Sequence, residues 1–255
     1  MKNSKRVFDQ GDALAAACEQ SDVTALQKML ADGFAVNSVT SRGETALMVA
    51  SRTGQLEMVK ILLAAGADPL ISNASVGNTP FMIACFNFHE NIAETLWKSG
   101  SDLLHKNEDN SIAWTWATRF PNLLEKILSS EIELDLNCED NRGTSLWFSA
   151  LLSKSPEKIP HSHEFDCVKS ISLLIAAGAD VNYKNRNGRT ALMAAELLNY
   201  RGVIELLLKH GADASIESND GYRAVNYARL RHGEASLDAH LAVLELLEMA
   251  PHKYH

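Results

Sequence analysis

Between positions 161 and 167 the sequence reads His-Ser-His-Glu-Phe-Asp-Cys. His161, His163, Glu164, Asp166 and Cys167 are all residue types that ligate metals. Imidazole, carboxylate and thiolate are the donors that hold zinc in tetrahedral sites. A His-x-His pair shares one face where the backbone is extended, because alternate residues of a strand point the same way. No second ligand pair follows at zinc-site spacing. The stretch therefore reads first as a solvated polar loop, and a metal-dependent enzyme built on His161 and His163 is the alternative. The other histidines (His89, His105, His210, His232, His240, His252, His255) are scattered and read as surface residues.

Other chemistries lack their parts. A nucleophilic Ser or Cys needs a base and an orienting acid beside it. No Gly-x-Ser-x-Gly element, phosphate-cradling Gly-x-x-x-x-Gly-Lys loop or Gly-x-Gly-x-x-Gly turn occurs. The four cysteines, Cys18, Cys85, Cys138 and Cys167, form no Cys-x-x-Cys pair. They read as small buried thiols of a reduced, cytoplasmic chain. No catalytic residue, metal ligand or cofactor is expected.

Charge and hydropathy narrow the partners. With a net charge of −8, the chain lacks the clustered Lys and Arg that neutralise phosphates, so nucleic acid is not an expected partner. Its apolar runs are too short to cross a bilayer. The basic start, Met1-Lys2-Asn3-Ser4-Lys5-Arg6, is not followed by the apolar core of a secretory signal.

The elements that must position any functional residue announce themselves by repetition. Gly43-Glu44-Thr45-Ala46-Leu47-Met48-Val49-Ala50 returns almost unchanged as Gly188-Arg189-Thr190-Ala191-Leu192-Met193-Ala194-Ala195. Leu62-Leu63-Ala64-Ala65-Gly66-Ala67-Asp68 returns as Leu207-Leu208-Lys209-His210-Gly211-Ala212-Asp213. Aligned on Asp12, Thr45, Thr79, Ile112, Ser145, Thr190 and Arg223, the units follow one another at 33, 34, 33, 33, 45 and 33 residues. Thr, Ser or Asp at that position can cap a helix by accepting an orphan backbone N–H. Leu47, Phe81, Trp114, Trp147, Leu192 and Val225 occupy one core position. Ala50, Ala84, Ala117, Ala150, Ala195 and Ala228 let neighbouring helices approach. Trp97 and Trp116 are also assigned to the core.

This pattern resembles the ankyrin repeat, with its Thr-Pro-Leu-His-x-Ala core and its period of about 33 residues. The resemblance implies an all-α solenoid of helix-turn-helix units joined by short hairpin-like loops. Residues 1–11 are expected as an extension and 12–250 as one repeat domain. Its units run 12–37, 38–71, 72–105, 106–137, 138–182, 183–215 and 216–250, and 251–255 form a tail. The 45-residue spacing places an insertion at 153–164, whose prolines mark a loop. The family's His is absent from every unit: Met48, Met82, Thr115, Phe148, Met193 and Asn226 stand there. This leaves open how neighbouring units are tied together.

The resemblance further implies that function is protein binding on the concave face. Carried over by register, the contact positions are Arg52, Phe86, Phe88, Arg119, Phe120, Arg142, Leu152, Arg189, Leu197, Tyr222 and Arg231. Aromatic residues and Arg dominate interface hot spots, and an apolar stripe on a soluble chain signals a partner. Phe86, Phe88 and Phe120 are the expected anchors. The partner is a protein with a basic or mixed surface and apolar anchor residues, and the free chain is expected to be a monomer. It serves as an adaptor or regulator, or as an inhibitor, immunity or effector protein that blocks one target.

Overall fold

The computed structural model describes residues 2–151 and 160–227, with side chains from 10 to 151 and from 166 to 227. The chain divides into two compact units, Met1–Ala117 and Thr118–His255.

The first unit holds six α-helices: α1 (Lys2–Glu19), α2 (Val23–Ala31), α3 (Ala46–Thr53), α4 (Leu56–Ala64), α5 (Pro80–Phe86) and α6 (Glu90–Lys98). They form antiparallel pairs. Helices α1, α3 and α5 pack side by side in one layer, and α2, α4 and α6 form the other. Helices α2, α3 and α5 start at side-chain caps, with Asp22 accepting the Ala25 N–H at 2.9 Å at the start of α2. Thr45 Oγ1 accepts the Met48 N–H at 3.3 Å, and Thr79 Oγ1 accepts the Met82 N–H at 3.4 Å, with Pro80 at the first helical position. Leu47, Met48, Phe81, Met82, Met58, Leu62, Ile92 and Leu96 fill the core between the layers. Each such side chain contributes about 1.5–3 kcal/mol when fully buried. Ala50 and Ala84 have no exposed surface, which agrees with close helix approach.

The loops between pairs use one device. A short polar side chain accepts backbone N–H groups two to five residues ahead: Thr40 from Arg42 and Glu44, Asn73 from Val76 and Asn78, and Asn107 from Ser111. These turns mimic backbone turns and hold each tip without a sheet. Among the described residues, antiparallel bridges occur only singly, at Val39 with Thr45, Lys106 with Ile112 and Glu139 with Ser145. The architecture is an all-α repeat solenoid, as the sequence implied.

The N-terminal boundary differs from expectation. Helix α1 starts at Lys2 and runs through residues 11 and 12 without a break. Asp12 is therefore not a helix cap. Its carboxylate instead accepts the Ser41 N–H at 3.0 Å and the Ser41 hydroxyl at 3.2 Å in the next unit. Gly11 permits that approach, because a Cβ there would lie 2.2 Å from the Val39 carbonyl oxygen.

The fourth repeat carries a 3-10 helix, Ala113–Arg119, in place of an α-helix. Thr115 Oγ1 donates to Ile112 O at 2.7 Å, and Pro121 bars the preceding residue from helical geometry.

The second unit contains α7 (Pro121–Leu128), α8 (Leu146–Leu151), α9 (Pro160–Ala176), α10 (Ala191–Leu198) and α11 (Arg201–Lys209). Helix α9 packs on α7 and α11, and α8 on α10. The same turn device recurs at Asp140, Asn185 and Ser218. Trp147 is fully buried and its indole N–H donates to Asp180 O at 3.0 Å. Where a loop was expected at 153–164, the backbone is helical from Pro160 onward, so the inserted residues partly lengthen α9. Residues 152–159 and everything from 228, including the second half of the seventh repeat, lie outside the described residues.

Candidate protein-binding face

Neighbouring helix pairs are joined by side-chain hydrogen bonds. Asn37 donates to Gly66 O at 3.3 Å and accepts the Asp68 N–H at 2.9 Å. Asn182 makes the same pair with Gly211 O and Asp213 N–H at 3.0 and 2.8 Å. His89 and His105 are not idle surface residues. Their Nε2 atoms lie 3.2 Å from Arg52 O and 2.8 Å from Gly77 O, and since a carbonyl only accepts, each Nε2 carries the proton. The His89 bond lies at the end of α3, which carries Arg52.

On the first unit, Glu19, Arg52 and Phe86 occupy one register position at the ends of α1, α3 and α5, which pack in that order. Arg52 is half-exposed and lies between two carboxylates, Glu19 at 3.6 Å and Glu44 at 3.5 Å. Phe86 is 58% exposed, the most exposed large apolar side chain among the described residues. Its ring centroid lies 5.7 Å from that of Trp116, at an interplanar angle of 52°. Trp116 was assigned to the core. It is half-buried and supports Phe86 instead, although Val49 and Ile83 at the same register are buried.

Phe88 is half-buried with φ of 62°. It stands where Gly54 has φ of 79° and ends α3, a conformation that costs an L-residue roughly 1–2 kcal/mol.

Phe120 is a correction. It is only 7% exposed and cannot serve as a contact anchor. Lying before Pro121, it takes extended geometry (φ −123°, ψ 93°), and its carbonyl receives the Leu124 N–H as α7 begins. Arg119, at the end of the 3-10 helix, is half-buried.

On the second unit, Arg142 is exposed at a loop tip. Arg189 is half-buried, 3.6 Å from Asp220 and with its guanidinium carbon 5.7 Å from the Tyr227 ring centroid. Tyr222, 42% exposed, meets Tyr227 edge-on at 6.0 Å. Leu197 is 44% exposed at the end of α10. Leu152 and Arg231 lie outside the described residues.

Titratable groups with chemical potential are few. Burial pushes the Cys18 thiol up to about 12, with Glu19 adding to the effect, so it is unreactive. Cys167 is buried and its thiol donates to Ala150 O at 3.4 Å. Among the described residues, no three His, Cys, Asp or Glu side chains are grouped to hold a metal. The side chains of His161, His163 and Glu164 lie outside them, and their backbone is helical rather than extended. Glu196 went unnoticed in the sequence. It has no exposed surface, neither carboxylate oxygen has a hydrogen-bond partner among the described residues, and burial raises it to about 7.

No helix among the described residues is long and apolar enough to cross a membrane. The family model for ankyrin repeats in three copies matches residues 13–107, 114–220 and 158–247. Ankyrin repeat and KH domain-containing protein mask-1 of Caenorhabditis elegans is 26% identical over 246 residues, covering 83% of this chain and 9% of that protein. Putative ankyrin repeat protein YahD of Escherichia coli (strain K12) is 26% identical over 198 residues, covering 77% of this chain and 94% of its own length. The chain spans about a tenth of mask-1 and of the mouse inactive serine/threonine-protein kinase TEX14. The ankyrin repeat domain of human ASB11 matches in fold with a TM-score of 0.71 at 22% identity, over 93% of this chain and 96% of that one. Ankyrin repeats are generally protein-interaction modules, and the chain belongs to the ankyrin repeat family.

Proposed function

We propose that the chain binds a partner protein through the exposed ends of its first helices, and that binding, not turnover, is its function. The observation that carries this reading is Phe86, an aromatic ring left 58% exposed and supported on Trp116. Exposing such a ring is unfavourable unless a partner covers it. Phe88, Arg52, Arg142, Arg189, Leu197 and Tyr222 extend the contact surface, and residues 12–250 act as one repeat domain. A preassembled face loses little conformational entropy on binding, so contacts convert into affinity. The four free cysteines are all buried, which supports work in a reducing compartment such as the cytoplasm.

The chain acts as an adaptor or as an inhibitor, since both need only a preformed face that occupies a partner's surface. The test is covalent capture from cells with a crosslinker, comparing wild type and Phe86→Ala. We expect one or a few proteins captured by the wild type and lost from the variant while its circular dichroism melt is unchanged. An identical captured set from both would sink the reading.

A further inference from the structure

The chemistry of the partner at the Phe86 face can be taken one step further, resting on the binding reading above. Arg52 neighbours Phe86 in register but is not available to a partner carboxylate, because Glu19 and Glu44 already flank it at 3.6 and 3.5 Å. The three side chains together carry one net negative charge. Glu19 is half-exposed, so that charge faces solvent. Between residues 10 and 117, Asp and Glu outnumber Lys and Arg two to one. Phe86, on α5, lies beside this triad on the packed layer α1, α3, α5, and Trp116 of the following 3-10 helix meets its ring.

We propose that the face recognises a protein segment carrying an aliphatic or aromatic anchor and, a few residues away, a Lys or Arg. The anchor covers Phe86 and Trp116, and the cation meets the Glu19–Arg52–Glu44 triad. Adjacent packed helices lie roughly 8–10 Å apart. Phe86 is one helix from Arg52 and two from Glu19, so anchor and cation stand on the order of 10–20 Å apart. An extended chain at about 3.3 Å per residue covers that in three to six residues. An acidic segment would have to displace two existing ion pairs to reach Arg52. A wholly apolar one would strip water from the triad without replacing it.

The test uses the full chain as bait for a random dodecapeptide phage library, followed by anisotropy titration of the enriched peptides. We expect enriched peptides to share an apolar residue three to six positions from a Lys or Arg. Phe86→Ala should weaken them at least tenfold, Glu19→Gln two- to fivefold, and a rise from 50 to 500 mM salt should weaken them further. Each variant's thermal melt should match the wild type. Peptides that depend on Phe86 but lack a cation, or that are acidic and depend on Arg52, would overturn the charge chemistry and leave the face standing. Peptides indifferent to Phe86→Ala, or no enrichment at all, would overturn both.

Discussion

Met48 and Thr45 cap helix α3 reciprocally: Thr45 Oγ1 accepts the Met48 N–H at 3.3 Å, and the Met48 thioether accepts the Thr45 N–H at 3.4 Å. Sulfur is a weak acceptor, so the two halves are unequal. Thr45→Ala should cost about 1 kcal/mol through the lost cap. Met48→Leu keeps the volume and loses only the sulfur contact, and should cost less than Thr45→Ala. Urea denaturation of both variants checks the order. A larger loss from Met48→Leu would mean that the thioether bond matters more than its chemistry allows.

The same repeat register holds Gly54 after α3, Phe88 after α5 and Asn199 after α10, all with positive φ. Glycine and Asn tolerate that conformation, and Phe does not. Replacing Phe88 by Gly or by Ala removes the same ring, so the two variants differ mainly in backbone strain. Phe88→Gly should be the more stable by about 1 kcal/mol, read as the difference between their denaturation midpoints. Equal midpoints would mean that the left-handed backbone at Phe88 carries no strain.

The two Asn clamps predict equivalent losses. Asn37 and Asn182 make matching bonds to the following repeat, at Gly66 and Asp68 and at Gly211 and Asp213. Asn37→Ala and Asn182→Ala should each cost about 1–2 kcal/mol, and more than an alanine substitution of exposed Asn91, which caps nothing. Because nearest-neighbour interfaces carry solenoid stability, the melts should also broaden. Hydrogen exchange would localise the loss: the Asp68 and Asp213 amides should lose protection in the respective variant.

The repeat pattern was legible because one period fixes caps, core leucines and small alanines together. Phe86 was legible as well, since its position should have been polar. The misassignments share a cause. Asp12 fits the capping register, but α1 starts ten residues earlier, and no local signal stops a helix at Gly11. Phe120 has the composition of a contact residue, yet Pro121 dictates the backbone of its predecessor and with it the burial of the ring. Trp116 was placed inside by register, and Val49 and Ile83 at that register are buried, but its larger ring packs against exposed Phe86 and stays half-buried. His89 and His105 act through distant carbonyl oxygens, those of Arg52 and Gly77, which sequence spacing does not display.

Glu196 yields the pH prediction. It occupies the register of Cys18, Ser51, Cys85, Thr118 and Leu151, all fully buried or nearly so, and it is the one carboxylate among them. Burial raises it from 4.5 to about 7. Between those values the folded chain keeps the proton and the unfolded chain releases it, so unfolding is favoured as pH rises. Its contribution is fully present below about 4.5, declines through neutrality and is lost once pH passes about 7. The total loss is about 3 kcal/mol, from 1.36 kcal/mol for each pH unit of difference. Glu196→Gln cannot ionise, and Glu196→Leu matches Leu151 at the equivalent place. Both should be more stable than wild type at pH 8, and the gain should shrink toward pH 5. Guanidinium titrations at the two pH values check this. A wild type whose stability ran parallel to that of both variants from pH 5 to 8 would show that Glu196 is ionised throughout and has found a counter-charge.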